Sequence, residues 1–349
     1  MSKELRDILE RVRTLEDKSW AVLATVVSLE GSGYRLPGAR MLIARDGTAI
    51  GTVSGGCLEA DLLERSQRVF DTGIPTVVTY DTRGKDDSVF SLNMGCNGLL
   101  RVLIEPIDGN ELFELIKGVF TTRRPITVAT VIASDDPARP VGERTIHDHD
   151  SPPTVDSQTV EYFIEVLRPP LNLVIFGAGF DAVPAIRLAK ELGWFVTVVD
   201  HRPAFLDTAR LSHPDKLLNL RPEEIVTHLT LDPDSASVVM THNFEHDREI
   251  LSFLLTQPLQ YIGALGPKKR TEQILADLKA TGRAIDSNSL SKLHAPIGLD
   301  IGAQTPESIA LSIVAEIQAT VAKRDAGFLK DRKAPIYDRA TNSGASARG

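Results

Sequence analysis

The 349-residue sequence predicts an α/β protein: a mixed α/β domain first, then a doubly wound parallel sheet. Three observations carry that expectation. Apolar runs of strand length alternate with stretches of helical period along the chain. In the second half, the runs Leu171–Phe176 and Trp194–Val199 are apolar at nearly consecutive positions, as in parallel strands covered on both faces. Between them lies Gly177-Ala-Gly-Phe-Asp-Ala182, a glycine turn set between strand and helix.

Composition limits the function classes. With 39 basic and 47 acidic residues, the net charge of −8 argues against general attraction to nucleic acid or anionic lipid. No apolar run approaches the roughly 20 residues of a membrane span, and the start, Met1 to Asp7, lacks the apolar core of a secretory signal. The expected location is the cytoplasm. Two cysteines, Cys57 and Cys96, make neither a disulfide framework nor a four-cysteine zinc site, so free thiols are expected.

In chain order, Leu5, Ile8, Leu9, Val12 and Leu15 fall at helical spacing, and Trp20–Leu29 reads as a strand. Strands Arg40–Ala44 and Ala49–Val53 follow, joined at Asp46-Gly47 as a hairpin. Ser54-Gly55-Gly56-Cys57 then leads into a helix carrying Leu58, Leu62 and Val69, which Gly73-Ile-Pro75 ends. Pro75–Asp81 is a strand and Thr82–Ser91 a loop. Asn93-Met-Gly-Cys-Asn-Gly98 sets Cys96 between glycines ahead of the strand Leu99–Pro106. A helix over Asn110–Phe120 and a strand over Ile126–Ala133 complete the first domain, residues 1–133. Residues 134–157 show no period and read as a long loop, with a strand at Thr159–Leu167; the stretch 134–170 is expected to be a linker closed by Pro169-Pro170. Within it, His147-Asp-His-Asp150 reads as solvated surface rather than a metal site.

The second domain, 171–328, carries the clearest signal. Strand, Gly177-x-Gly-x-x-Ala182, helix Val183–Leu192, strand and then Asp200 form a dinucleotide fingerprint in its proper order, hence a Rossmann-like fold. Gly177 permits the tight turn, Gly179 lets backbone approach phosphate, and Asp200 is the expected acceptor for ribose hydroxyls. Helices at Glu223–His228, Phe244–Leu255, Lys268–Thr281 and Pro306–Lys323 alternate with strands Ala236–Met240 and Gln260–Gly263. The tail 329–349 loses periodicity, and 342–349 is expected to lack order.

The carboxyl ends of these strands bring candidate ligand contacts to one edge: Gly177, Gly179, Asp200, His201, Arg202, His242, Gly263 and Gly266. His201 and Arg202 read either as anion contacts or as solvated loop residues. His242 and His246 share a helical i, i+4 spacing but not a zinc-protease motif; His242 is placed at the crevice. Lys268-Lys269-Arg270 reads as an anion clamp or a basic turn, with Arg270 the candidate contact. Gly55 and Gly56 favour an exposed Cys57 acting as soft ligand or reactive thiol, against the alternative of a small buried hydrophobe. No nucleophile elbow and no Walker loop is present. The fingerprint by itself also admits an NAD(P)-dependent oxidoreductase, with His242 as its proton donor, or a nucleotide-binding redox sensor.

Five segments taken together are more specific: Gly31-Ser-Gly-Tyr-Arg-Leu-Pro-Gly-Ala-Arg-Met41, Ser54-Gly-Gly-Cys-Leu-Glu59, Val174-Ile-Phe-Gly-Ala-Gly179, Tyr261-Ile-Gly-Ala-Leu-Gly266 and Pro296-Ile-Gly-Leu-Asp-Ile-Gly-Ala-Gln-Thr-Pro-Glu307. In these the chain resembles the XdhC/CoxI family of accessory proteins for xanthine dehydrogenase and related molybdenum hydroxylases. The resemblance implies a chaperone that binds the molybdenum cofactor, as molybdopterin or its dinucleotide form, assists its sulfuration and inserts it into the apo-hydroxylase. It implies an accessory factor rather than an enzyme with its own turnover, a cysteine desulfurase as a further partner, and a homodimer. Carried onto this sequence, it points to Cys57 as the thiol that handles the cofactor and its metal; Cys96, by its similar glycine-flanked placement, is a second candidate, and both are expected to face the Rossmann crevice.

Overall fold

The computed structural model describes residues 3–15, 21–81, 83, 98–150, 159–283 and 285–336. Two compact units divide at the proline pair, one running to Pro169 and the other beginning at Pro170.

In the first unit, α1 (Lys3–Thr14) buries Leu5, Ile8 and Val12 on one face. Strands β1 (Ala21–Gly31), β2 (Arg40–Ala44) and β3 (Ala49–Gly51) form a meander, with Asp46 accepting the Thr48 N–H at 2.9 Å in the β2–β3 turn. Helix α2 (Glu59–Thr72), β4 (Thr76–Asp81), β5 (Gly98–Pro106), α3 (Glu111–Thr122), β6 (Ile126–Ser134), β7 (Arg144–Asp148) and β8 (Val160–Leu167) follow. An antiparallel sheet has the order β3-β2-β1-β5-β4, and a smaller one the order β7-β6-β8.

β1 is central, and its residues alternate between two cores. Val22, Ala24 and Val26 pack with Leu58, Leu62 and Val69 around α2. Ala21 and Leu23 face Ile8, Ile116 and Val128, and Val27 meets Leu103 and Phe163. A strand covered on both faces can be apolar at nearly every position, which is why Ala21–Val27 is apolar except at the buried Thr25.

Two expectations change here. β3 ends at Gly51 rather than Val53, because the N–H groups of Thr52, Val53 and Ser54 turn to carboxylates instead of a neighbouring strand. The stretch expected to be a period-free loop and linker contains β7, and β7 and β8 flank β6 as one sheet. Arg144 of β7 is buried against Glu105 of β5, with Nη2 at 2.7 and 2.8 Å from its two oxygens. A charged strand residue with a buried partner defeats the apolar pattern by which strands are read.

The second unit comprises β9 (Asn172–Phe176), α4 (Ala182–Glu191), β10 (Phe195–Asp200), β11 (Lys216–Asn219), α5 (Ile225–His228), β12 (Ser235–Val239), α6 (Phe244–Leu254), β13 (Tyr261–Ala264), α7 (Lys268–Ala280), α8 (Ser287–Ser291), β14 (Leu293–His294) and α9 (Pro306–Val321). All its strands are parallel, in the order β11-β10-β9-β12-β13-β14. Leu173 and Ile175 of β9 pack on the side of α4 and α9, and Val174 and Phe176 on the side of α5, α6 and α7. This is the doubly wound sheet expected, and its order reverses between β9 and β12, where such sheets open a crevice. The short strands β11 and β14 and helix α8 are additions to the expected pattern. Among the described residues no helix is long and apolar enough to cross a membrane.

Candidate functional site

Each unit carries one cluster of candidate residues. In the first, the chain leaves β3 at Gly51, where φ is 89° and a Cβ would lie 2.3 Å from the Arg40 carbonyl oxygen, so only glycine fits. The loop from Thr52 to Leu58 then wraps around one carboxylate. Glu59, the first residue of α2, accepts N–H groups from Val53 (3.3 Å), Ser54 (3.1 Å), Gly56 (2.9 Å) and Leu58 (3.1 Å). It also accepts the hydroxyls of Thr52 and Ser54. The Ser54 oxygen in turn accepts the Leu58 N–H at 2.8 Å, and Leu58 is buried in the core below α2. Burial by itself would raise the Glu59 pKa, but the hydroxyls of Ser54 and Thr52 and the Ser54 N–H more than offset it and bring it to about 2.

Cys57 is exposed between Gly56 and Leu58, the free cysteine among the described residues. The N–H donors that a helix start could offer a thiol or an anion are here bound by Glu59, a carboxylate that itself suits the positive end of the helix dipole. Tyr34 closes the other side, since a Cβ on Gly55 would lie 2.7 Å from its ring. Arg35, beside it, pairs with Glu4 of α1, whose other oxygen accepts the Thr52 N–H at 2.6 Å. Tyr34 and Arg35 of the segment Gly31–Met41 thus border the loop that carries Cys57. Cys96 lies outside the described residues.

In the second unit the glycine turn is as expected at Gly177. Its φ is 108°, and a Cβ would lie 2.4 Å from the Met240 carbonyl oxygen, so β9 and β12 pass too closely for any side chain. At Gly179 a Cβ would meet nothing within 4 Å, leaving the turn open to a ligand. Asp200 ends β10 with its side chain 2% exposed. One oxygen accepts the Arg202 N–H (2.9 Å) and Nε (3.0 Å); the other accepts the Ala178 N–H (2.7 Å) and Arg202 Nη2 (2.8 Å). Burial favours the neutral acid, yet the Arg202 guanidinium and the two N–H groups hold its pKa below the usual carboxylate range. The Arg202 guanidinium also lies 4.0 Å above the Phe205 ring.

Gly177, Asp200, His201, Arg202, Thr241 and His246 line one narrow cleft of about 20 Å³, with the His201 and His246 rings edge-on at 4.7 Å. That volume holds about one water. The other predicted residues are placed differently. His242, at φ 59°, points Nε2 to within 3.2 Å of the Asp181 carboxylate beside the glycine turn. Gly263 is a packing position, because a Cβ there would lie 2.2 Å from Ile297 Cδ1. Gly266, at φ 135°, gives way to the stem of Arg270, whose Nη2 bonds the buried Asp247 at 2.6 Å. Arg270 therefore ties α7 to α6.

Two features escaped the sequence. The first is Glu59 as organiser of the cysteine loop. The second is Glu316 of α9, which accepts Tyr261 Oη, the Gly298 N–H at 2.8 Å and, at 3.1 Å, His294 Nδ1. Tyr261 and His294 stack at 4.4 Å, so this cluster fastens the Pro296–Glu307 segment to β13. Burial, then the Glu316 bond, push the Tyr261 phenol well above its usual range. At the stretch 147–150, His147 meets Thr145 Oγ1 at 3.1 Å and His149 meets Arg168 at 2.8 Å. No cluster of three or more His, Cys, Asp or Glu able to hold a metal ion occurs among the described residues.

An exposed thiol in a carboxylate-pinned loop on one unit, and a Rossmann-type cleft on the other, define the class: an α/β protein of two units, the second a doubly wound Rossmann fold. Comparison with known proteins gives the family. Residues 173–317 match the XdhC Rossmann domain, and residues 15–81 match the XdhC and CoxI family. The chain is 36% identical to a probable xanthine dehydrogenase subunit from Bacillus subtilis, over 88% of this chain and 94% of that protein. It is 23% identical to the molybdenum cofactor insertion chaperone PaoD of Escherichia coli, over 88% and 85%. A crystal structure described as a xanthine dehydrogenase from Bacillus halodurans superposes with a TM-score of 0.76 at 32% identity, covering 93% of this chain and 97% of that one. The chain belongs to the XdhC/CoxI family.

Proposed function

We propose that this protein is a molybdenum-cofactor chaperone that protects the cofactor, assists its sulfuration and inserts it into a xanthine dehydrogenase-type apo-hydroxylase. The observation that carries this reading is Cys57. It is an exposed thiol on a loop whose backbone one carboxylate holds in place, in a chain of the XdhC/CoxI family. Molybdenum is soft enough to favour sulfur, and a thiolate on a fixed loop binds such a metal with little ordering cost. The kinship with PaoD supports insertion as the task.

The Rossmann unit supplies a second set of contacts, for the anionic pterin phosphate or its nucleotide extension. Gly177 makes the tight turn, Gly179 leaves backbone open to phosphate, and His201, Arg202 and His242 bring cationic or hydrogen-bonding groups to the same turn. Asp200 anchors Arg202 rather than meeting the cargo directly. Gly263, Gly266 and Arg270 act by shaping the segments that follow β13. The chaperone works in the cytoplasm as a homodimer, with the apo-hydroxylase and a cysteine desulfurase as partners, and Cys96 is its second thiol.

The test is reconstitution of an apo-hydroxylase with purified chaperone and cofactor. Cys57→Ala is expected to lose cofactor binding and hydroxylase activation together. Activation equal to that of the parent protein would remove the thiol from the mechanism.

A further inference from the structure

The acid that ends β10 is the feature of the Rossmann fingerprint that usually accepts a ribose diol. A carboxylate offers about four lone-pair sites. At Asp200 all are taken: the Arg202 N–H and Nε on one oxygen, the Ala178 N–H and Arg202 Nη2 on the other, at 2.7 to 3.0 Å. The side chain is almost wholly buried, so no further donor reaches it from solvent. Arg202 is held from its other side by the Phe205 ring at 4.0 Å. The cleft left between Asp200, Arg202 and His246 has room for about one water, far less than a ribose needs.

We propose that Arg202 is a specificity-determining residue: its guanidinium fills the acceptors of Asp200 and closes the Rossmann cleft to a dinucleotide that must hydrogen-bond a free ribose diol there, NAD(H). Two of the five N–H donors of Arg202 go to Asp200, and the remainder stay available to an anion. The same pairing that excludes the diol thus turns a ribose subsite into an anion-facing one. Asp200 also ties the glycine turn, through Ala178, to the loop after β10, so the closed arrangement is held by both strands of the cleft. This inference concerns the cleft alone and stands whether or not the cargo is the molybdenum cofactor.

The experiment is titration of the full-length protein with NADH, followed by nucleotide fluorescence and by calorimetry. The parent protein is expected to show no saturable binding below about 1 mM. Arg202→Met, which keeps an unbranched stem over Phe205, and Arg202→Ala both free the acid, and NADH binding is expected to tighten at least about tenfold, the worth of one charged hydrogen bond. Adding Asp200→Asn to Arg202→Met is expected to abolish that gain. The proposal is overturned by micromolar binding of NADH to the parent, a result independent of how any variant folds. It is equally overturned if variants with parental circular dichroism gain nothing, or if the gain survives loss of Asp200.

Discussion

Replacing Glu59 by glutamine tests whether one carboxylate organises the cysteine loop. The side chain accepts four backbone N–H groups and two hydroxyls, and glutamine of the same shape keeps one acceptor oxygen while turning the other into a donor facing donors. The pKa falls from the ordinary 4.5 to about 2. For a fully buried group that difference would be worth about 3 kcal/mol. Glu59 is only half-buried and open to screening, so about 1 to 2 kcal/mol is the reasonable figure. Because the folded-state pKa is depressed, this stability is fully present above pH 4.5 and is lost as pH falls towards about 2. Amide hydrogen exchange over residues 53–58, read by mass spectrometry at neutral pH, should be about 5- to 30-fold faster in Glu59→Gln. Alkylation of Cys57 should change in rate, and the acid-induced loosening of the loop expected of the parent between pH 4.5 and 2 should be absent from the variant. Unchanged exchange at Ser54, Gly56 and Leu58 would refute the role given to Glu59.

Other perturbations separate the two units. Gly177→Ala places a Cβ 2.4 Å from the Met240 carbonyl oxygen at a φ of 108°, and should destabilise the Rossmann unit by roughly 3 kcal/mol or more, visible as a lowered thermal transition. Glu105→Gln leaves Arg144 buried without its counter-charge and should cost about 3 to 5 kcal/mol in denaturant unfolding of the first unit; parental stability would mean the pair contributes little. Tyr261→Phe removes the donor to Glu316 and should cost about 1 to 3 kcal/mol, with exchange at Gly298 rising in step.

What the sequence made legible was local. The strand Leu171–Phe176, the turn at Gly177 and the acid at Asp200 are close in sequence and each obeys a short-range rule, so the second unit could be read directly. β7 could not, because Arg144-Thr-Ile-His-Asp148 carries a buried arginine whose partner Glu105 is 39 residues away. The exposure of Cys57 followed from its glycine neighbours, but its electrostatic setting did not. Glu59 stands five residues beyond Ser54, outside the spacing of a capping box, and only the fold of the loop brings its carboxylate under Gly56 and Leu58. Asp200 shows the same limit. Its residue type was legible, whereas its occupation by Arg202, two positions on, was a matter of side-chain geometry.

The central claim is that the cargo of this XdhC/CoxI protein is the molybdenum cofactor, and its contents on purification test that most directly. Protein isolated from a molybdenum-replete host should yield a fluorescent pterin after oxidation, in an amount approaching the protein itself, and the Cys57→Ala protein should carry much less. Protein that yields nicotinamide nucleotide and no pterin would contradict the account.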